Sequence, residues 1–125
     1  MAKILLVEDN IALSGVIHFN LTRAGYQVTA VGNGREAIAA LERGRFDLVL
    51  SDQQMPKMTG IQLCEQIREM PDHVHMPFIL LTAKCMEIDV AKLRQRLGVS
   101  MALPKPFSPS ELLTCIEESL ASNVG

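Results

Sequence analysis

The sequence predicts a single α/β domain: a doubly wound, five-stranded parallel sheet with helices on both faces. Three observations predict it. Short apolar runs at Lys3–Val7, Phe46–Ser51, Phe78–Leu81 and Met101–Pro104 alternate with segments of helical spacing. Most of these runs are nearly unbroken, as strands covered on both sides are. Each stops at a polar residue able to handle a metal or a phosphate: Glu8-Asp9, Asp52, Thr82 and Lys105. Right-handed crossovers between parallel strands bring such ends to one edge of the sheet, where open α/β sheets place their ligand sites.

The first strand leads into a helix with Leu13, Val16, Ile17 and Leu21 as its apolar stripe and Gly25 as its stop. Gln27–Val31 reads as a second strand, more polar than the rest and ending at Gly32 without a reactive group, hence an edge strand. Asn33-Gly34-Arg35-Glu36 has the form of a capping box, followed by Ile38 and Leu41 and closed by Gly44. After the third strand, residues 55–60 form a turn, and Thr59 with Gln62 caps a helix carrying Ile61, Cys64 and Ile67. Ile88, Ala91, Leu93 and Leu97 suggest a shorter helix closed by Gly98. The last helix has the clearest start, with Ser108 as cap, Pro109 in the first helical position and Glu111 completing the box. Its inner face is Leu112, Leu113, Ile116 and Leu120, and residues 121–125 read as a frayed tail.

A length of 125 residues suits one domain, residues 1–125 with a core of about 3–120, and no internal repeat or second domain is evident. Apolar residues at 48% and charged residues at 21% suit a folded chain. A net charge of -2 gives no basic footprint for nucleic acid, and no run approaches the roughly 20 apolar residues of a membrane span. With no signal peptide evident, a cytoplasmic location is expected. Cys64, Cys85 and Cys115 are odd in number and far apart, and read as reduced thiols, two of them packed on helices. His73 and His75 lie in a proline-bracketed segment and read as a solvated connector instead of a metal site.

Glu8 and Asp9 are adjacent acids, which repel each other in apolar surroundings unless a cation lies beside them. Magnesium takes oxygen ligands, keeps several waters, and is held by one or two carboxylates together with phosphate. Asp52 would complete an acidic cluster. Singly, each residue has an ordinary explanation: acids suit a helix start, Lys105 a surface amine, Thr82 a plain strand position. Their common place at strand ends favours a magnesium and phosphoryl site. There a carboxylate can attack phosphorus to give an aspartyl phosphate. Such transfer depends on positioning and on neutralising the phosphoryl oxygens, roles that suit the Lys105 ammonium and the Thr82 hydroxyl.

In this order, Glu8-Asp9, the segment Asp52-Gln53-Gln54-Met55-Pro56-Lys57-Met58-Thr59-Gly60, Leu81-Thr82-Ala83 and Lys105-Pro106-Phe107 closely resemble the receiver domain of two-component response regulators. The resemblance implies a flavodoxin-like, CheY-like sheet of strand order 2-1-3-4-5. It implies that Asp52 accepts a phosphoryl group from a phosphohistidine on a sensor histidine kinase or histidine phosphotransfer protein. Mg2+ would be bound by Asp9 directly, by Glu8 through water and by Gln54 through its backbone carbonyl, with Asp52 in the same cluster. Thr82 and Lys105 would contact the phosphoryl oxygens, Ala83 would let phosphate approach, and the Lys105-Pro106 bond would be cis. Such a chain catalyses its own phosphorylation and dephosphorylation and is no enzyme with a separate substrate. Its output is a downstream effector protein or an output domain on a longer chain, with phosphorylation-dependent dimerisation as one route; neither membrane nor nucleic acid is a direct partner.

Some positions stand apart. Family members commonly carry Tyr or Phe three residues before the lysine, where this chain has Ala102, so no ring is available as a rotamer switch. The signal is then expected to pass through Thr82 and residues 83–86. Gln54 and Lys84 take the places that face the hydrolytic water in this family; a Gln orients water and a Lys holds phosphate or blocks approach, so the phosphate lifetime stays open. Three competing classes are a phosphatase of haloacid-dehalogenase type, a flavin carrier and a pseudo-receiver docking module. In the first, an Asp-x-Asp nucleophile lies on the first strand and acids come late; here the order is reversed. A flavin carrier needs a hydroxyl-rich loop where Glu8-Asp9-Asn10 stand. The intact residue set speaks against a pseudo-receiver.

Overall fold

The computed structural model describes residues 1–84 and 88–122; Cys85, Met86 and the end of the expected tail lie outside the described residues. The elements run β1 (Lys3–Val7), α1 (Ile11–Arg23), β2 (Gln27–Val31), α2 (Gly34–Arg43), β3 (Leu48–Asp52), α3 (Gly60–Arg68), β4 (Phe78–Thr82), α4 (Val90–Leu97), β5 (Met101–Pro104) and α5 (Pro109–Ser122). The strands pair in parallel in the order β2-β1-β3-β4-β5. Among the described residues no helix is long and apolar enough to cross a membrane.

Side chains alternate across the pleat and feed two cores. Leu5, Val7, Val49, Phe78 and Leu80 meet Ala37 and Leu41 of α2, Leu63 and Ile67 of α3, and Leu93 and Leu97 of α4. On the opposite face Ile4, Leu6, Leu48, Leu50, Ile79 and Leu81 meet Ile17 and Leu21 of α1 and Leu112 and Ile116 of α5. Full burial of such a side chain contributes roughly 1.5–3 kcal/mol. β2 has only exposed and half-buried residues, as an edge strand does, while β3 and β4 are buried throughout.

The helix starts follow their caps. Thr59 with Gln62 and Ser108 with Glu111 form reciprocal boxes. Asn33 accepts from the Glu36 amide at 2.9 Å, but Glu36 reaches back to the amide of Gly32 at 2.8 Å, one residue beyond the box partner. Asp89 caps α4 by accepting from Lys92 N at 3.1 Å, so Ile88 precedes the helix and packs on the core from outside it. Gly98 ends α4 at φ 67, the left-handed conformation a glycine adopts without strain.

Two boundaries differ from the sequence reading. β3 begins at Leu48 instead of Phe46 and takes in Asp52, because pairing with β1 starts at Ile4↔Leu48. Asp47 is used before the strand: its carboxylate accepts from Lys3 N at 2.7 Å. On α1, Val16 is 57% exposed instead of buried. It lies 100° around the helix from Ile17 by helical geometry, beyond the narrow stripe that the sheet covers.

The connector between α3 and β4 is more ordered than a solvated loop. Pro71–His73 forms a short 3₁₀ turn, and Met76 and Pro77 are buried. Arg68 clamps it, donating to Leu97 O at 2.6 Å, His73 O at 2.8 Å and Gly98 O at 3.3 Å. Cys64 and Cys115 are buried free thiols on α3 and α5, and burial pushes both up to about 11, which keeps them protonated at neutral pH.

Gly60 fixes the distance between α3 and the end of β3. A Cβ there would lie 2.6 Å from Asp52 O and 2.6 Å from Leu80 Cδ1. Gly60→Ala is therefore expected to cost about 1–3 kcal/mol, the scale of overpacking, and to displace the Asp52 backbone. Urea denaturation and the amide shifts of residues 52 and 53 check this; an unchanged protein would show that the contact yields freely.

Candidate metal centre

Strand register places the reactive residues. Val7 pairs with Ser51, Asp52 with Leu81, and Thr82 with Pro104, so the carboxyl ends of β1, β3, β4 and β5 lie side by side. Glu8 N donates to Val31 O at 3.1 Å, which carries the β1 ladder one residue further and buries the glutamate. Lys105 N donates to Thr82 O at 3.0 Å and so follows β5 directly into the site. The Lys105-Pro106 peptide bond is cis.

Glu8, Asp9 and Asp52 each present a carboxylate oxygen within 4.8 Å of the other two. Among the described residues this is the group able to hold a metal ion, and neither His73 nor His75 joins it. Glu8 and Asp52 are buried while Asp9 is exposed at the rim. The Lys105 ammonium stands 2.5 Å from Asp52 Oδ1 and 3.3 Å from Glu8 Oε1. Glu8 Oε2 also accepts from Asn10 N at 3.1 Å. Oδ1 of Asp52 is buried and accepts no aligned hydrogen bond, so its partner is the Lys105 charge.

Burial pushes the Asp52 carboxyl above its usual range; Lys105 opposes the shift and Asp9 adds to it. Burial likewise raises Glu8, where the Asn10 amide and Lys105 oppose and the Asp52 charge adds. For Lys105, burial pulls downward, but Asp52 and Glu8 outweigh it and hold the amine above its ordinary value. Three carboxylates against one ammonium leave excess negative charge. An all-oxygen donor set, that excess charge and an under-bonded buried oxygen fit a hard divalent cation.

Thr82 is wholly buried at the end of β4. Its Oγ1 accepts from Gln54 Nε2 at 3.0 Å and from Lys84 N at 3.0 Å. The carboxamide contact was not foreseen from sequence, where Gln54 is considered for its backbone carbonyl or for water. The signal for it lay in the pairing of Asp52 with Leu81, which sets the residues just beyond each strand end side by side. Ala83 and Lys84 are exposed, and Ala102 is half-buried against the core of the α2–α4 face.

Comparison with known proteins agrees with this architecture. A family model described as response regulator receiver domain matches residues 4–117. The chain is 37% identical over 110 residues to the alkaline phosphatase synthesis transcriptional regulatory protein PhoP of Bacillus subtilis, covering 88% of this chain and 45% of that protein. It spans about half the length of the curated relatives it matches. Among solved structures, the chemotaxis response regulator CheY4 of Vibrio cholerae superposes with a TM-score of 0.86 at 33% identity, over 95% of this chain and 98% of that one. The receiver domain of sensor histidine kinase PA1611 of Pseudomonas aeruginosa, solved with a magnesium ion coordinated in its active-site cleft, gives 0.86 at 34% identity, over 96% and 98%. Strand order, strand-end chemistry and a match across most of the sequence agree: the chain belongs to the response regulator receiver domain family.

Proposed function

We propose that the chain is a phosphoacceptor in histidine-to-aspartate signalling, with Asp52 as the acceptor. The observation that carries this is the buried Asp52 Oδ1, which accepts no hydrogen bond and lies against the Lys105 ammonium within an acidic triad. An Asp52 oxygen forms a bond to phosphorus as the bond from phosphorus to the donor imidazole breaks. Lys105 then turns its charge from the carboxylate to the phosphoryl oxygens, and Thr82 donates its hydroxyl proton to one of them. Asp9, Glu8, Asp52 and the backbone carbonyl of Gln54 would hold Mg2+, which when bound supplies positive charge to the transferring group.

The donor is a phosphohistidine on a sensor kinase or phosphotransfer protein. The output is an effector protein, a phosphorylation-dependent dimer, or a further domain if residues 1–125 are one receiver domain of a longer chain. With Ala102 in place of a ring, the change at Asp52 passes through Thr82 and the segment after it; Cys85 and Met86 of that segment lie outside the described residues.

Incubation with acetyl phosphate and Mg2+, read by intact mass, tests this. Uptake of one phosphoryl group is expected, lost in Asp52→Asn and with chelator, with amide shifts changing across residues 83–97. No uptake in wild type would make the chain a docking module of receiver fold.

A further inference from the structure

We propose that Gln53 is a positioning residue for the metal centre: by holding the start of α3 it fixes the loop of residues 53–60 and, with it, the Gln54 backbone carbonyl. This rests on the reading of that carbonyl as a ligand of Mg2+. Gln53 follows Asp52 directly and is half-buried. Its own amide donates to Leu81 O at 2.8 Å, which anchors it to β4. Its backbone carbonyl accepts from Gly60 N at 3.2 Å, and its side-chain Oε1 accepts from Ile61 N at 2.8 Å.

The N–H groups at the start of a helix have no acceptor within it. In α3 the capping box serves two of them, those of Thr59 and Gln62, and Gln53 serves the other two, those of Gly60 and Ile61. The box is internal to the start of the helix, whereas Gln53 ties that start back to the strand that carries Asp52. The loop so closed is not a relaxed one. Met58 N donates to Pro56 O at 2.8 Å across Lys57, whose φ of 70 lies in the left-handed region that a residue with a side chain rarely enters. Such a conformation persists where its surroundings enforce it. Gln53 is one end of this loop and grips the other, so losing its side-chain acceptor loosens the turn that sets the Gln54 carbonyl.

Calorimetric Mg2+ titration of the whole chain tests this, under conditions where circular dichroism shows each variant folded. Gln53→Met keeps the bulk of the side chain and removes the acceptor; Gln53→Ala stands in where methionine perturbs folding. The variant is expected to bind Mg2+ about three- to tenfold more weakly, the value of one hydrogen bond, and to exchange the Ile61 amide faster in the metal-free protein. Thr59→Ala removes the bond from Gln62 N to Thr59 Oγ1 instead and frays the same helix start. It is expected to leave Mg2+ affinity as in wild type. Gln53→Glu keeps an acceptor for Ile61 and serves as the rescue: slow exchange at Ile61 and Mg2+ binding at least as tight as in wild type are expected. Unchanged affinity in Gln53→Met, equal weakening in Thr59→Ala, or weakened binding in Gln53→Glu would each overturn the inference and leave the metal reading standing. Wild type that binds no Mg2+ would overturn both together.

Discussion

Replacing Asp52 by Asn is expected to abolish phosphoryl uptake and also to stabilise the metal-free protein by about 1–2 kcal/mol at neutral pH, a common gain where a functional residue is strained. Both effects have one origin. Burial, with Asp9 adding to it, holds the Asp52 carboxyl above its ordinary value of 3.8 even though Lys105 pulls the other way. A folded-state pKa above the unfolded value means that the native protein binds that proton more tightly than the unfolded chain does. The associated stability is fully present below 3.8 and is lost as pH rises through the raised folded value. Glu8 behaves alike from 4.5 upward. Asparagine keeps the shape and removes the titration, so the advantage of the variant opens as pH climbs above 3.8 and then levels off. Urea denaturation in chelator across this range measures it, and Mg2+ should narrow the gap by stabilising wild type more. A variant less stable than wild type in chelator at neutral pH would refute the account.

Lys105→Met should move stability in the opposite direction. It strips the counter-charge from two buried carboxylates at 2.5 and 3.3 Å. Breaking a fully buried pair costs about 3–5 kcal/mol; with the Lys105 side chain 22% exposed, about 2–4 kcal/mol is expected here at neutral pH. The loss should shrink in acid, where Asp52 and Glu8 protonate and no longer need the amine. It should also shrink in strong alkali: the raised folded value of Lys105 confers stability that is present below 10.5 and lost as pH rises through that folded value. Mg2+ binding should instead tighten, by about tenfold, because a cation beside the acid triad has been removed. Calorimetric Mg2+ titration decides it: unchanged or weaker affinity would show that Lys105 and the metal do not share these carboxylates. Phosphoryl uptake should be lost together with the charge that neutralises the group.

The layout was largely legible because apolar runs and end signals recur at fixed points. The Ser108 and Thr59 boxes sit where they were expected, and β2 lies at the edge that its polarity indicated. Long-range partners were the hidden part. Arg68 reads as an ordinary last-turn arginine of α3, yet it reaches carbonyls 29 and 30 residues away. Asp47 looked like part of a strand, and its use by Lys3 N depends on where β1 comes to rest. Val16 satisfied the helical period, which reports that a helix has an apolar stripe but not how wide its covered face is. Within the site, residue types and order marked the strand ends, whereas the Gln54 carboxamide found its partner only through the pairing of β3 with β4.

Glu8 and Lys105 stand 97 positions apart in the chain. On the ribosome, where domains are made from the N-terminus onward, all three acids are therefore synthesised well before the amine that balances two of them. A sheet of β1 to β4 alone would hold the three carboxylates without the Lys105 ammonium. β5, made after the other four strands of this sheet, thus supplies both an edge of the sheet and the amine that follows it into the site.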